Sequence, residues 1–290
     1  MEYTIKDNDL SVIISSHGAE MQSVSFQGRE YLWQGDEAYW TEHSPVLFPF
    51  VGRFTDGHYT LEGKRYPMSI HGFAKLSDFD VIEKSDNSIT LQMTDTPATF
   101  EKYPFHFIFN VTYTIKDQQI FVSYHVQNLS DQTMYFGIGG HPGFNVPLEN
   151  GLAFQDYYLE FPLAHTPAKV GHTETCFLSG IDTDYPLENG NKIPLIHSMF
   201  DQDAIVLKNV CDCVTLKSDK SEHSVTLCYP DLPYLGLWHA PKTEAPYICI
   251  EPWSSLPSRQ DIVEEFKYKN DLIRLKQDAS YQNDWKIIIT

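Results

Sequence analysis

Along most of the chain, apolar and polar residues alternate with a period of two. Between residues 107 and 126, Phe107, Phe109, Val111, Tyr113 and Ile115 alternate with Asn110, Thr112 and Thr114. After Asp117-Gln118-Gln119 the pattern resumes at Ile120, Val122, Tyr124 and Val126. A strand turns successive side chains to opposite faces, so each run predicts a strand with one face in a core. The polar break between them predicts a hairpin. The same reading pairs 4–6 with 10–14 around Asp7-Asn8-Asp9, 21–26 with 29–33 around Gln27-Gly28, and 81–84 with 89–93 around Ser85-Asp86-Asn87. Asp56-Gly57 and Glu62-Gly63 read as two further hairpin turns. More strands are expected at 204–207, 214–217, 224–229, 235–239 and 285–289.

Two stretches break the pattern. Residues 40–53 are aromatic and interrupted by Pro45 and Pro49, which predicts a structured loop or an edge segment rather than a central strand. The best helical periodicity is short, from Arg259 to Phe266 after Pro257-Ser258. No linker, repeat or charge block divides the chain. Many short strands at close spacing predict an all-β fold, a large antiparallel β-sandwich with few short helices, as a single domain over 1–290.

Composition narrows the partners. Hydrophobic residues are 42% and aromatics 14%, enough for a core and favourable to strands. The formal net charge of -18 repels a phosphate backbone or an anionic membrane surface, so neither nucleic acid nor membrane is an expected partner. The first residues lack a basic region followed by an apolar run, and no stretch has the length of a membrane span. A reduced, cytoplasmic protein is therefore expected. The five cysteines, Cys176, Cys211, Cys213, Cys228 and Cys249, follow no disulfide or zinc spacing. Asn110-Val111-Thr112 and Asn128-Leu129-Ser130 match the glycosylation pattern, which has no role without secretion. Monomer and homodimer both stay open.

Candidate chemistry concentrates in three places. In Tyr247-Ile248-Cys249-Ile250-Glu251-Pro252-Trp253, alternation sends Ile248 and Ile250 to one face and Glu251 to the other. Pro252 is expected to end the strand with Glu251 at its lip, and Trp253 supplies an apolar plate suited to the C–H face of a sugar. His71 lies beside Gly72, and His141 is framed by Gly137-Ile138-Gly139-Gly140 and Pro142-Gly143. That glycine cluster fails the dinucleotide pattern and lacks a P-loop lysine, and no Gly-x-Ser-x-Gly elbow is present. One carboxylate with two histidines suggests proton transfer without a metal.

His71-Gly72-Phe73-Ala74, Gly140-His141-Pro142-Gly143-Phe144 and Ile250-Glu251-Pro252-Trp253, in that order, resemble the galactose mutarotase (aldose 1-epimerase) superfamily. His43-Ser44-Pro45-Val46-Leu47-Phe48-Pro49-Phe50-Val51-Gly52-Arg53 is similar to its LacX-type branch. The resemblance implies a large antiparallel β-sandwich that interconverts α and β anomers of free aldoses, with no cofactor and no catalytic metal. It implies that Glu251 takes the proton of the anomeric hydroxyl and His141 protonates the ring oxygen, while His71 and Arg53 hold hydroxyls. The family's substrate-binding aspartate matches Asp203, with Asp201 as its near rival, and Trp253 would complete the sugar site. Free side chains titrate near ~4.3 (Glu) and ~6.5 (His), so Glu251 is expected to be ionised and to raise the His141 pKa. An acidic limb from Glu251 and an alkaline limb from His141 follow. Three alternatives remain: a carbohydrate-binding protein without turnover, a hexose-phosphate epimerase using Arg65, Lys75 or Arg259 near Arg53, and a glycoside-cleaving enzyme, which needs two flanking carboxylates.

Overall fold

In the computed structural model, which describes residues 1–290, the alternating runs become strands, and every strand pair is antiparallel. Phe107–Lys116 and Gln119–Asn128 pair from Phe107 against Asn128 to Lys116 against Gln119, with alternate residues buried along both. They lie within a nine-stranded sheet that runs from Lys192–Pro194 at one edge to Asp80–Lys84 at the other and includes the C-terminal strand Ser280–Ile289. An eight-stranded sheet is built around Tyr247–Trp253, flanked by Tyr234–Trp238 on one side and by Gly139–Gly140 and Gly143–Asn145 on the other. A four-stranded sheet over Glu2–Glu30 adds to these. One hydrophobic core runs from Ile5 to Ile289, drawing on all three sheets. The large antiparallel β-fold expected from the alternation is what the chain adopts.

The 40–53 segment contributes only the two-residue edge strand Val46–Leu47, as its prolines predict. Four expectations are corrected. Residues 259–266 form no α-helix: Arg259 bridges to Leu178, Glu265 bridges to Thr60, the Thr60 N–H donates to the Glu264 carbonyl, and only Phe266 enters a 3-10 turn, Phe266–Tyr268. Tertiary partners take the backbone groups that a helix would have paired internally. The one α-helix is a single turn, Pro97–Phe100, capped by Thr96 and too short to show a period. Asp56-Gly57 joins no strands; it belongs to the 3-10 turn Thr55–Gly57 leading into the hairpin His58–Leu61/Lys64–Pro67, whose own turn is Glu62-Gly63.

Pro252 does not end its strand, which continues to Trp253. On the side facing Gly139–Gly140, Ile250 N–H donates to the Pro142 carbonyl and Ser254 N–H to the Ile138 carbonyl. Pro252 removes only the bond between these two, opposite Gly140, so the strand persists. The expectation of unlinked thiols fails for one pair. Cys213 and Cys228 stand directly opposite on neighbouring strands, with Cα atoms 4.1 Å apart, and form a disulfide. Sequence spacing could not reveal a pairing set by strand register.

Candidate active site

Strand register builds the centre of the site. Gly139 pairs with Trp253 and Gly143 with Cys249, so position 141 stands opposite position 251. Directly opposite residues project to the same face of a sheet. His141 Nε2 accordingly lies 3.1 Å from Glu251 Oε2, and both residues are buried, at 8% and 1% exposure. The approach is not aligned as a hydrogen bond: Glu251 Oε2 and His141 Nδ1 have no partner in the protein. Ile248 and Ile250 point the other way, into the main core, as the alternation requires.

The glycines around His141 make room for aromatic rings. A Cβ at Gly143 would come within 3.0 Å of the Trp40 ring and 3.2 Å of Trp33 Cβ. Trp40 in turn lies against the imidazole, with ring centroids 5.0 Å apart at 34°, and Trp238 meets it edge-on at 5.8 Å. Across the pair from the Trp40 loop comes His71, at φ 63, its ring 5.5 Å from that of His141. The Gly52 N–H donates to His71 Nδ1, which leaves the His71 proton on Nε2, available to a ligand.

These residues open on one cavity of about 310 Å³. Arg53, Asp203 and Trp253 also line it, so all six sequence-predicted site residues converge there. Asp201 does not; it is exposed, whereas Asp203 turns inward and accepts from Cys176 Sγ at 2.9 Å. Trp253 is 4% exposed and packs among Leu47, Val51 and Val206, so the wide aromatic surfaces of the cavity belong to Trp40 and Trp238 instead. Among the cations, Lys75 reaches the cavity wall but is held by Glu42 at 2.8 and 3.0 Å. Arg259 is bound bidentately by Glu264 away from it, and Arg65 is exposed on its hairpin. Arg53 has no side-chain partner. Sequence reading missed Cys176 and His172, which come from a loop without a motif, and Glu42, which stands just before the His43–Arg53 block.

Burial sets the protonation of the pair. Loss of hydration pushes the Glu251 carboxyl well above its ordinary range, and the charge of Asp203 adds to this. The Trp253 indole N–H, near the carboxyl though not aligned to bond it, opposes the shift only partly. Burial also drives His141 down to about 3, with Lys75 a smaller contribution in the same direction. His71 is lowered as well, by burial and then by His141, Lys75 and Arg53. The expected ionised glutamate with a raised histidine is therefore reversed. Burial thus favours the arrangement in which the pair's proton rests on the carboxyl and the imidazole is neutral. Behind it lies Cys249, whose Sγ, with a His141 ring nitrogen and a Glu251 oxygen, completes three potential metal-ligand atoms within 4.8 Å of one another.

The aldose 1-epimerase family profile matches residues 1–283. The plasmid-encoded protein LacX of Lactococcus lactis subsp. lactis is 32% identical over 265 residues, covering 88% of each chain. A galactose mutarotase related enzyme from Lactobacillus acidophilus superposes with a TM-score of 0.95 at 35% identity, over 100% of this chain and 97% of that one. A galactose mutarotase-like protein from Lactobacillus casei gives 0.95 at 34% identity, over 100% of both chains. The paired carboxylate and imidazole thus sit in a fold and sequence context shared along the whole chain: this protein belongs to the aldose 1-epimerase family.

Proposed function

We propose that this protein is a mutarotase acting on a free aldohexose, as a single domain over 1–290, by acid–base opening and reclosure of the sugar ring. The observation that carries the reading is the opposition of His141 and Glu251 at 3.1 Å, inside a cavity at the small end of the ~300–1,000 Å³ range of ligand sites. A pyranose seated over the pair would present its anomeric hydroxyl to Glu251 and its ring oxygen to His141. Hydrogen bonding from that hydroxyl favours the carboxylate, which moves the shared proton to the imidazole. Glu251 then takes the O1 proton as His141 gives its proton to O5. The C1–O5 bond breaks and C1=O1 forms. Rotation about C1–C2 exposes the other carbonyl face, and reclosure returns both protons. His71 Nε2–H, Arg53 and Asp203 would hold the remaining hydroxyls, with Trp40, Trp238 and the edge of Trp253 against the C–H surface.

Charge favours an unphosphorylated substrate. Lys75 is neutralised by Glu42, which leaves Arg53 as the unpaired cation of the cavity, with Asp203 also present. A phosphoryl group is usually gripped by several donors. Polarimetry on freshly dissolved α-glucose and α-galactose tests the reading. Faster approach to the equilibrium rotation is expected; a protein that binds these sugars at unchanged rate would be the carbohydrate-binding alternative.

The two limbs of the pH profile exchange their owners: His141 sets the acidic one and Glu251 the alkaline one. The working state holds one proton. Acidification adds a second, which the lowered His141 resists down to about 3, so activity persists into acid. Alkalinisation removes the only proton, which the raised Glu251 retains above the carboxylate range. With His141 lowered to about 3, kcat/KM should show no limb from it near the ordinary histidine value of ~6.5. A half-maximal point there would return the roles to ordinary titration.

A further inference from the structure

Cys249 takes no part in the proton transfer, yet it is placed against it. It precedes Glu251 by two residues on Tyr247–Trp253, so both project to one face, and it is completely buried and outside the disulfide. It packs among Trp33, Ala240, Ala245 and Tyr247, and its sulfur makes no hydrogen bond in the protein. Glu251 Oε2, on a residue 1% exposed, has no hydrogen-bond partner. Together Sγ, the imidazole and the carboxylate put three donor atoms within 4.8 Å of one another. Bonds of ~2.0–2.3 Å at tetrahedral angles put donors roughly 3.3–3.8 Å apart, so the set must close by up to about 1 Å around an ion.

We propose that His141, Cys249 and Glu251 form a capture site for a thiophilic divalent cation of the zinc or cadmium class, whose binding displaces the sugar and stops turnover. The donor set decides the class. A thiolate with an imidazole and one carboxylate suits zinc or cadmium, while magnesium and calcium want oxygen alone. Three protein ligands leave a fourth position, which here faces the cavity through Glu251 and His141. Coordination releases the thiol proton and the proton of the pair to solvent. The pair then has neither a free base nor an acid.

Cadmium titration tests this, read by thiolate-to-cadmium charge-transfer absorbance. Two other sulfurs could answer: Cys176 beside Asp203, and Cys211, 3.5 Å from His165 Nδ1. Cys176→Ser and Cys211→Ser are controls. Wild type and both controls should show a saturable band, reversed by chelator and suppressed by excess sugar. In Cys249→Ser and Cys249→Ala the thiolate band should be lost, and inhibition by cadmium should weaken by more than the about 10–100-fold that loss of an outer-shell partner costs. Inhibition, measured against each variant's own metal-free rate, should follow the band. A band that survives in both Cys249 variants, or no band in wild type, overturns the site. The inhibition readout rests on the mutarotase reading and the absorbance does not, so a chain without turnover would still report whether the site exists.

Discussion

Glu251→Gln should reduce anomerisation toward the spontaneous rate, a fall in kcat at the upper end of the ~10²–10⁴-fold range for a lost acid–base group. The amide keeps the shape of the side chain but can neither accept the O1 proton nor hold the proton that His141 needs. Both halves of the reaction fail together. The fold should not suffer. The Glu251 carboxyl titrates well above its unfolded value of ~4.3, so between those points the folded state binds more protons and wild-type stability falls as pH rises. Glutamine removes that dependence. Thermal unfolding should therefore show the variant at least as stable as wild type at neutral pH, with the difference closing below ~4. Near-normal activity in a folded Glu251→Gln protein would remove the base from the mechanism.

His141→Asn should lose on the order of 10²–10⁴-fold in kcat. Asparagine is polar and fits beneath Trp40, but it cannot pass a proton to the ring oxygen. KM should change less than kcat, because the hydroxyl contacts assigned to Arg53, Asp203 and His71 remain. Stopped-flow polarimetry on purified α-anomer separates the two constants. A modest loss would move the acid to His71, whose Nε2 proton faces the same cavity 5.5 Å away between ring centres.

The long alternating runs were legible because their period answers to one face of a sheet meeting one core. Phe107–Lys116 and Gln119–Asn128 follow from that alone, and so does the outward turn of Glu251 from Ile248 and Ile250. Elements with few residues or borrowed partners were not legible. The segment 259–266 has a helical period but gives its backbone to Thr60 and Leu178. Pro252 reads as a strand end but loses only one ladder bond.

By itself the chain determined that Glu251, His141, His71 and Arg53 would be the chemically notable side chains, and that a mainly antiparallel β-fold would carry them. Only the tertiary structure decided that position 141 stands opposite 251, that Asp203 rather than Asp201 turns inward, and that Cys213 meets Cys228. It also reversed the direction of the shifts expected of the pair, raising Glu251 and lowering His141. Periodicity is a local property, written in neighbouring residues; register, burial and the loss of hydration that shifts a proton depend on what distant strands bring beside it.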